Sequence, residues 1–227
     1  MSTTALRLTV LATAVALSGC TVYVNNKPPA RQQVGQTRQP PKTTAKTPVV
    51  RPSTTPTTTQ TSNAPLIKGS NIFGNGTAGA FRGLAYVIPN NTQKMPDLSK
   101  LVPFAQLKTD SFLIQPQDFA GGFPGALMQE EWFAIRYEGA FEVPKDATYT
   151  FTLLSDDGAI LYIDNDKVID NDGLHVAKPV TGAKPLTTGR HALRLDYFQG
   201  NKGPVALALS MTDNASDKGA RPLVGVR

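Results

Sequence analysis

Cysteine and histidine are scarce in this chain, because of its 227 residues one is a cysteine and two are histidines. A lone cysteine excludes an intrachain disulfide, so the folded part must be stable through its core alone. The sequence also contains neither the HExxH motif of metalloproteases nor the GxSxG motif of serine hydrolases. We therefore expect a protein that is not an enzyme.

Negative charge is absent from the first part of the chain. Residues 1–96 carry 10 Lys or Arg and no Asp or Glu, whereas residues 97–227 carry 13 Lys or Arg and 17 Asp or Glu, a net −4. The overall charge of +6 therefore comes from the N-terminal part, and the later part shows no basic surface pattern interleaved with aromatic residues. This distribution excludes nucleic acid as the expected partner.

The N-terminus has one short apolar run. Arg7 precedes the apolar stretch Leu8–Leu17, which is about half of the roughly 20 residues that cross a bilayer, so we expect a cleaved signal rather than a membrane span. The sequence Leu17–Cys20 resembles the lipobox of bacterial lipoproteins, which implies a signal peptide over residues 1–19 and a lipidated, palmitate-bearing Cys20 as membrane anchor. Thr21, which is not Asp, then implies the outer membrane in a diderm cell. The alternative is an incidental thiol at the end of an ordinary secretory signal.

Residues 20–68 read as a disordered tether. They are rich in Pro, Thr, Gln, Lys and Arg and have almost no large apolar residue, so nothing compensates the entropy of ordering them. Their prolines favour extended polyproline II, and such a stalk reaches on the order of 100 Å. The cationic stalk either contacts anionic cell-envelope polymers or is only a soluble spacer.

Residues 69–227 are expected to form one all-β domain, since short runs of Val, Ile, Tyr, Phe and Thr alternate with Gly, Pro, Asn and Asp. In the predicted strand Thr148–Leu154, Thr148, Thr150 and Thr152 occupy one face and Tyr149, Phe151 and Leu153 the other, as in a strand with one buried face of an antiparallel sandwich. The predicted strands are Arg82–Ile88, Phe112–Gln115, Trp132–Val143, Thr148–Leu154, Ala159–Ile163, Lys167–Asp170, Ala192–Phe198 and Val205–Met211.

Acidic residues concentrate between Tyr149 and Gly173, where six aspartates fall within seventeen residues. Asp156 and Asp157 stand in the tetrad SDDG, and an Asp-Gly pair is a common hairpin turn, so the tetrad is either a ligand site or only a turn. The later aspartates do not fit an EF-hand, because the first and last ligand positions would be Val168 and Pro179. Asn165 and Asp166 are predicted to turn a hairpin, with an exposed loop beginning at Asp170.

The order of these motifs resembles the PA14 domain, closely over about residues 130–212. The matching segments are Gly139, Tyr149–Phe151, Ser155–Gly158, Leu161–Asp164, Val168–Asn171, Thr188 with Gly189, and Tyr197–Gly200. The resemblance implies an antiparallel β-sandwich and, as in the lectin members, carbohydrate binding through Ca²⁺ held by two aspartates joined by a cis peptide. Here those positions are Asp156 and Asp157, and Asn201 is the nearest match to the later ligand. The short loop and Lys202 depart from the lectin pattern.

Two functions follow from the resemblance. The first is a lipid-anchored module that binds a glycan or cell-wall polysaccharide, with Ca²⁺ as cofactor. The alternative is a non-catalytic structural module that contacts envelope proteins without metal or sugar. A paired-carboxylate glycosidase using Glu130 or Glu131 is disfavoured, because PA14 modules usually accompany catalytic domains without being catalytic themselves. We expect His191 to be a surface or a satisfied histidine and not a ligand, Trp132 to be buried, and Phe81, Tyr86, Phe119 and Phe123 to form a wall against the sandwich.

Overall fold

The computed structural model describes residues 63–214 and 219–227. The signal peptide, Cys20 and the tether as far as residue 62 lie outside the described residues. Within the described part, no helix has the length and apolar character needed to span a membrane.

The described residues form strands and one short 3₁₀-helix at Leu98–Lys100. The strands are β1 (Ser70–Asn71), β2 (Gly74–Asn75), β3 (Phe81–Val87), β4 (Ala105–Thr109), β5 (Leu113–Asp118), β6 (Phe133–Val143), β7 (Ala147–Asp156), β8 (Ala159–Ile163), β9 (Asp166–Asn171), β10 (Lys178–Leu186), β11 (Gly189–Gln199), β12 (Pro204–Asp213) and β13 (Arg221–Pro222). This composition confirms the all-β class.

Two antiparallel sheets make up the domain. The larger sheet has eight strands in the order β1-β2-β4-β3-β6-β11-β8-β9, and the smaller has β10-β7-β12-β13 with β5 also paired to β12. Consecutive strands therefore often lie in different sheets, as β7 and β8 do. The expected β-sandwich is confirmed.

The core lies between the sheets, and the residues that face it recur at every second position along the strands. In β6, Phe133, Ile135 and Tyr137 face inward with no exposed surface, while Arg136 and Glu138 face outward. Each such fully buried apolar side chain stabilises the fold by about 1.5–3 kcal/mol relative to exposure. Phe73 packs edge-on against Phe119 and Phe133 at centroid distances of 5.1 and 5.5 Å, which closes one end of the core.

A second apolar cluster lies on the outer face of the larger sheet. It joins residues of the sheet and of the segment 88–101, which covers that half of the face; its buried members are Leu84, Tyr86, Ile88, Leu98, Trp132, Ala134 and Phe198. Trp132 is buried as predicted. Tyr86, in contrast, belongs to this outer cluster, whereas Phe81, Phe119 and Phe123 lie in the core between the sheets.

The packed domain begins earlier than residue 69. Ile67 is 3% exposed, its N–H donates to Gln106 O at 2.9 Å, and Lys68 N–H donates to Pro124 O at 2.6 Å. Leu66 forms a parallel bridge with Gln106. Ile67 therefore packs with the domain, two residues before the boundary predicted at Gly69.

Several strands were missed by the sequence analysis. The longest is β10, whose sequence KPVTGAKPL contains two prolines and pairs only with β7 within its sheet. An edge strand tolerates proline because one side of its backbone needs no ladder partner. β4 was also missed. The two-residue strands β1, β2 and β13 were missed because two residues are too few to show a period.

Candidate carboxylate site

The SDDG tetrad connects the two sheets. β7 ends at Asp156 in the smaller sheet and β8 begins at Ala159 in the larger one, and the two strands do not pair. The tetrad is therefore a crossover, and the interpretation as a hairpin turn is wrong. The peptide bond between Asp156 and Asp157 is cis, which is the feature that the PA14 resemblance implied.

Close packing against β11 positions this crossover. The Tyr197 hydroxyl lies 2.6 Å from Asp156 O, and Phe198 N–H donates to Gly158 O at 2.9 Å. A Cβ at Gly158 would lie 2.3 Å from the Phe198 ring, so only glycine fits. Burial raises the pKa of the Tyr197 hydroxyl well above its usual range, so it remains a neutral hydrogen-bonding group.

The Asp157 carboxylate ties two loops together. Its Oδ1 accepts the N–H of His175 at 2.9 Å, and its Oδ2 accepts the N–H of Gly200 at 2.8 Å. A Cβ at Gly200 would lie 3.2 Å from Asp157 Oδ2 and 2.5 Å from the Leu174 side chain, so glycine lets the carboxylate come close to this backbone. Each carboxylate oxygen keeps a further lone pair for another donor or a cation.

The neighbouring Asp156 carries an uncompensated charge. It is 9% exposed, and burial raises its pKa; the nearby Asp157 carboxylate raises it further, against a backbone hydrogen bond from Ala177 that lowers it. Within the described residues neither aspartate forms an ion pair with Lys or Arg. Two adjacent buried carboxylates without a cation favour binding of a positive ion.

The loop that carries Asn201 is hydrogen-bonded to the segment that precedes β6. Trp132 N–H donates to Gly200 O at 2.8 Å, and Glu131 Oε2 accepts Lys202 N–H at 2.8 Å. The Lys202 ammonium lies 2.5 Å from Glu130 Oε2. Lys202 departs from the lectin pattern, but its ammonium is directed to Glu130 and Lys202 is not among the residues that line the cavity.

Asp156, Asp157 and Asn201 line one cavity of about 290 Å³. The structure thus brings the three sequence-predicted residues together. Carboxylate and amide oxygens suit Ca²⁺, which takes six to eight oxygen ligands, so these side chains fit part of a calcium shell. Among the described residues no group of three or more His, Cys, Asp or Glu side chains could hold a metal, so protein acids alone do not complete the shell.

Other lining residues were missed by sequence reasoning. Leu174, His175 and Val176 come from the connection between β9 and β10, and Gln199 ends β11. Val176 is 83% exposed. No sequence pattern marks this connection, because its backbone reaches the site through hydrogen bonds to Asp157 and Asp156 and through the packing of the two sheets.

The later aspartates play structural parts. The turn of the β8–β9 hairpin is Asp164–Asn165, both with positive φ, one residue earlier than predicted. Asn171, predicted to lie in an exposed loop, is buried at the end of β9 and donates to Ser155 Oγ at 2.8 Å. His191 is buried, between Asp164 Oδ2 at 2.7 Å and Thr187 O at 2.8 Å, and is satisfied as expected.

Comparison with known proteins agrees with this architecture. Residues 118–219 match the family model of the PA14 domain. The comparison with curated protein sequences finds no match.

Three solved structures are similar at low identity. A protein described as an anti-sigma factor domain-containing protein has TM-score 0.51 and 19% identity, with 65% of this chain and 47% of that chain covered. A PA14 sugar-binding domain from an RTX adhesin has TM-score 0.50 and 17% identity, with 66% and 100% covered. The PA14 domain of the antifreeze protein MpAFP has TM-score 0.49 and 17% identity, with 64% and 86% covered.

The first of these structures extends well beyond the match, because this chain spans about half of its length. At such identities the likeness concerns the fold. Residues 118–219 are therefore similar to the PA14 family model, and the sandwich is similar in fold to a solved PA14 domain.

Proposed function

We propose that this chain is a membrane-anchored carbohydrate-binding protein whose PA14 domain holds Ca²⁺ at Asp156 and Asp157. The observation that carries the proposal is the pair of buried carboxylates that share a cavity with Asn201 and have no cationic partner among the described residues. The RTX adhesin domain of similar fold is described as sugar-binding, which supports the ligand class.

The calcium ion is proposed to bind the two carboxylates and the Asn201 side chain, with water or saccharide hydroxyls as the remaining ligands. A divalent cation relieves the repulsion between Asp156 and Asp157, and hydroxyl oxygens are the ligand type that Ca²⁺ accepts. The cavity volume of about 290 Å³ is close to the lower end of the roughly 300–1,000 Å³ typical of ligand pockets. We therefore propose a small contact, such as the end of a glycan chain.

Calorimetry of the full chain with CaCl₂, followed by a glycan array with Ca²⁺ and with EDTA, tests this function. We expect Asp156→Asn to weaken calcium binding at least about tenfold, equivalent to about 1.4 kcal/mol. Glu142→Gln is the matched control, because it removes an exposed carboxylate on the outer face of β6. Absence of calcium binding in the unaltered chain, or array signals insensitive to EDTA and to Asp156→Asn, would contradict the proposal.

The membrane anchor is proposed from the lipobox-like sequence at Cys20. Labelling of growing cells with a palmitate analogue should mark the chain but not Cys20→Ser, and fractionation should move that variant from the membrane to the soluble fraction. A label that persists in Cys20→Ser would exclude this anchor. The same fractionation, with inner and outer membranes separated, checks the expected outer-membrane location.

A further inference from the structure

A second region of the domain presents charged side chains without a covering segment. The segment 88–101 covers one half of the outer face of the larger sheet, and the other half stays open. This open half holds a cavity of about 320 Å³ lined by Arg82, Glu138, Asn165, Ala192 and Arg194, and by the backbone of β6 and β11. It lies near the β8–β9 turn, whereas the carboxylate pair lies where β7 crosses to β8.

Strand register brings these charges into one row. The residues are direct neighbours across six strands, in the order Lys108, Arg82, Glu138, Arg194, Tyr162 and Lys167. Because neighbouring strands lie about 4.8 Å apart, the row is about 24 Å long. Such a length suits an extended chain better than a single small molecule.

The charge of the row is positive in a domain that is otherwise acidic. It contains four cations and one carboxylate. Lys167 is paired with Asp170 at 2.5 Å, and Arg82 Nε donates to Gln106 Oε1 at 3.1 Å. The Arg194 guanidinium lies 3.7 Å above the centre of the Tyr162 ring, which fixes its plane. Its Nε is buried without a hydrogen bond and lies 3.6 Å from Asp196 Oδ2. The arginine is therefore held in place by its packing.

Glu138 adds an acceptor between the two arginines. It is the strand neighbour of both Arg82 and Arg194, yet among the described residues its carboxylate has no ion-pair partner. The cavity thus offers guanidinium and amide donors together with one carboxylate acceptor over a floor of small residues. A ligand with anionic groups next to hydroxyl groups complements this set, because hydroxyls donate to Glu138 while the anions meet the arginines.

We propose that this row is a second, calcium-independent binding site for an anionic saccharide chain. The anion of the chain is a carboxylate or a phosphate, and both are recognised by the same arginine geometry. The site is separate from the carboxylate pair, so either proposal can fail without the other.

Titration of the full chain in EDTA at low salt tests the second site. The probes are oligogalacturonate, a phosphorylated galactose oligomer and a neutral galactose oligomer, with binding followed by calorimetry. We expect an anionic oligomer to bind and the neutral one not to bind, and the tighter of the two anionic probes identifies the anion. Asp156→Asn should leave this binding unchanged.

Three variants locate the binding. Arg82→Gln with Arg194→Gln should weaken it at least about tenfold, since the pair of substitutions removes both guanidinium groups that meet the anions. Glu138→Gln keeps an acceptor oxygen for the hydroxyl groups of the ligand and removes the charge that repels its anions, so it should strengthen binding about threefold, an effect that misfolding does not produce. Arg221→Gln, at an exposed strand, is the matched control. No binding of either anionic probe, equal binding of the neutral oligomer, an unaffected double variant or an equal loss in the control would overturn the proposal.

Discussion

Two sites in this domain contain buried aspartates. At one site an arginine neutralises the carboxylate, whereas at the other no cation does so among the described residues. On β11, Asp196 receives two hydrogen bonds from the Arg136 guanidinium, at 2.7 and 2.9 Å, and its side chain is 3% exposed. At the crossover, Asp156 and Asp157 are each 9% exposed and are contacted by backbone N–H groups instead of a cation. A carboxylate neutralised within the fold serves stability, whereas a pair left negative is available for a ligand.

The largest expected effect tests the neutralised site. Asp196→Ala leaves Arg136 without its partner, and we expect a loss of about 3 kcal/mol in unfolding free energy, because removing one member of a buried pair leaves an uncompensated charge. Urea denaturation measures this loss, with Glu142→Gln expected within about 0.5 kcal/mol of the unaltered chain. A loss below about 1 kcal/mol would contradict a structural ion pair of this kind. Calcium binding should not change.

The next effect separates the structural role of Asp157 from its charge. Asp157→Ala removes the acceptor of the His175 and Gly200 N–H groups, and we expect it to cost about 2 kcal/mol. Asp157→Asn keeps one acceptor oxygen and should cost about half of that. Denaturation with hydrogen exchange at these two amides measures the difference. Equal stability of the two variants would show that the contacts contribute nothing.

A smaller effect is expected at the support of the Asn201 loop. Glu131→Ala removes the acceptor of Lys202 N–H, whereas Glu131→Gln retains an acceptor oxygen and serves as control. We expect the alanine variant to lose about 1 kcal/mol of the free energy that holds the loop in its folded conformation. If Asn201 is a ligand, this loss lowers the calcium affinity about fivefold. Calorimetry of the two variants decides this, and equal affinities would exclude a positioning role for Glu131.

The smallest effect is a dependence on pH at the unneutralised site. The pKa of Asp156 is raised in the folded chain, so its contribution to stability is present below the usual Asp pKa of about 3.9 and is lost as pH rises through the elevated pKa. Without metal, Asp156→Asn should therefore gain in melting temperature relative to the unaltered chain between about pH 4 and about pH 7. Melting curves in EDTA measure this gain. A difference independent of pH would mean that Asp156 carries no unfavourable charge.

Local pattern accounts for much of what the sequence predicted correctly. Along the long strands β6, β7, β11 and β12 the larger apolar residues mostly recur at every second position, so their existence and inward faces follow from period two. The Asp156–Asp157 pair was found because adjacent acids in this motif order resemble those of PA14 lectins. β10 was missed because its prolines suit an edge position that only the assembled sheet defines.

The surroundings of the site were not predictable from local pattern. His175 lies 18 residues and Gly200 43 residues from the aspartate that their N–H groups contact. Glu131 contacts a backbone N–H 71 residues away. Contacts over such separations have no period and no motif in the sequence, since they exist only after the sheets have packed.

The amino-acid sequence by itself determined the β class, the inward faces of the long strands and the position of the two adjacent aspartates, because alternation and residue type act locally. Only the tertiary structure decided that SDDG crosses between sheets, that the charge of Asp156 and Asp157 stays unpaired among the described residues while that of Asp196 is neutralised, and that a basic row crosses the larger sheet. The physical reason is that charge compensation depends on which side chains packing brings within a few ångströms.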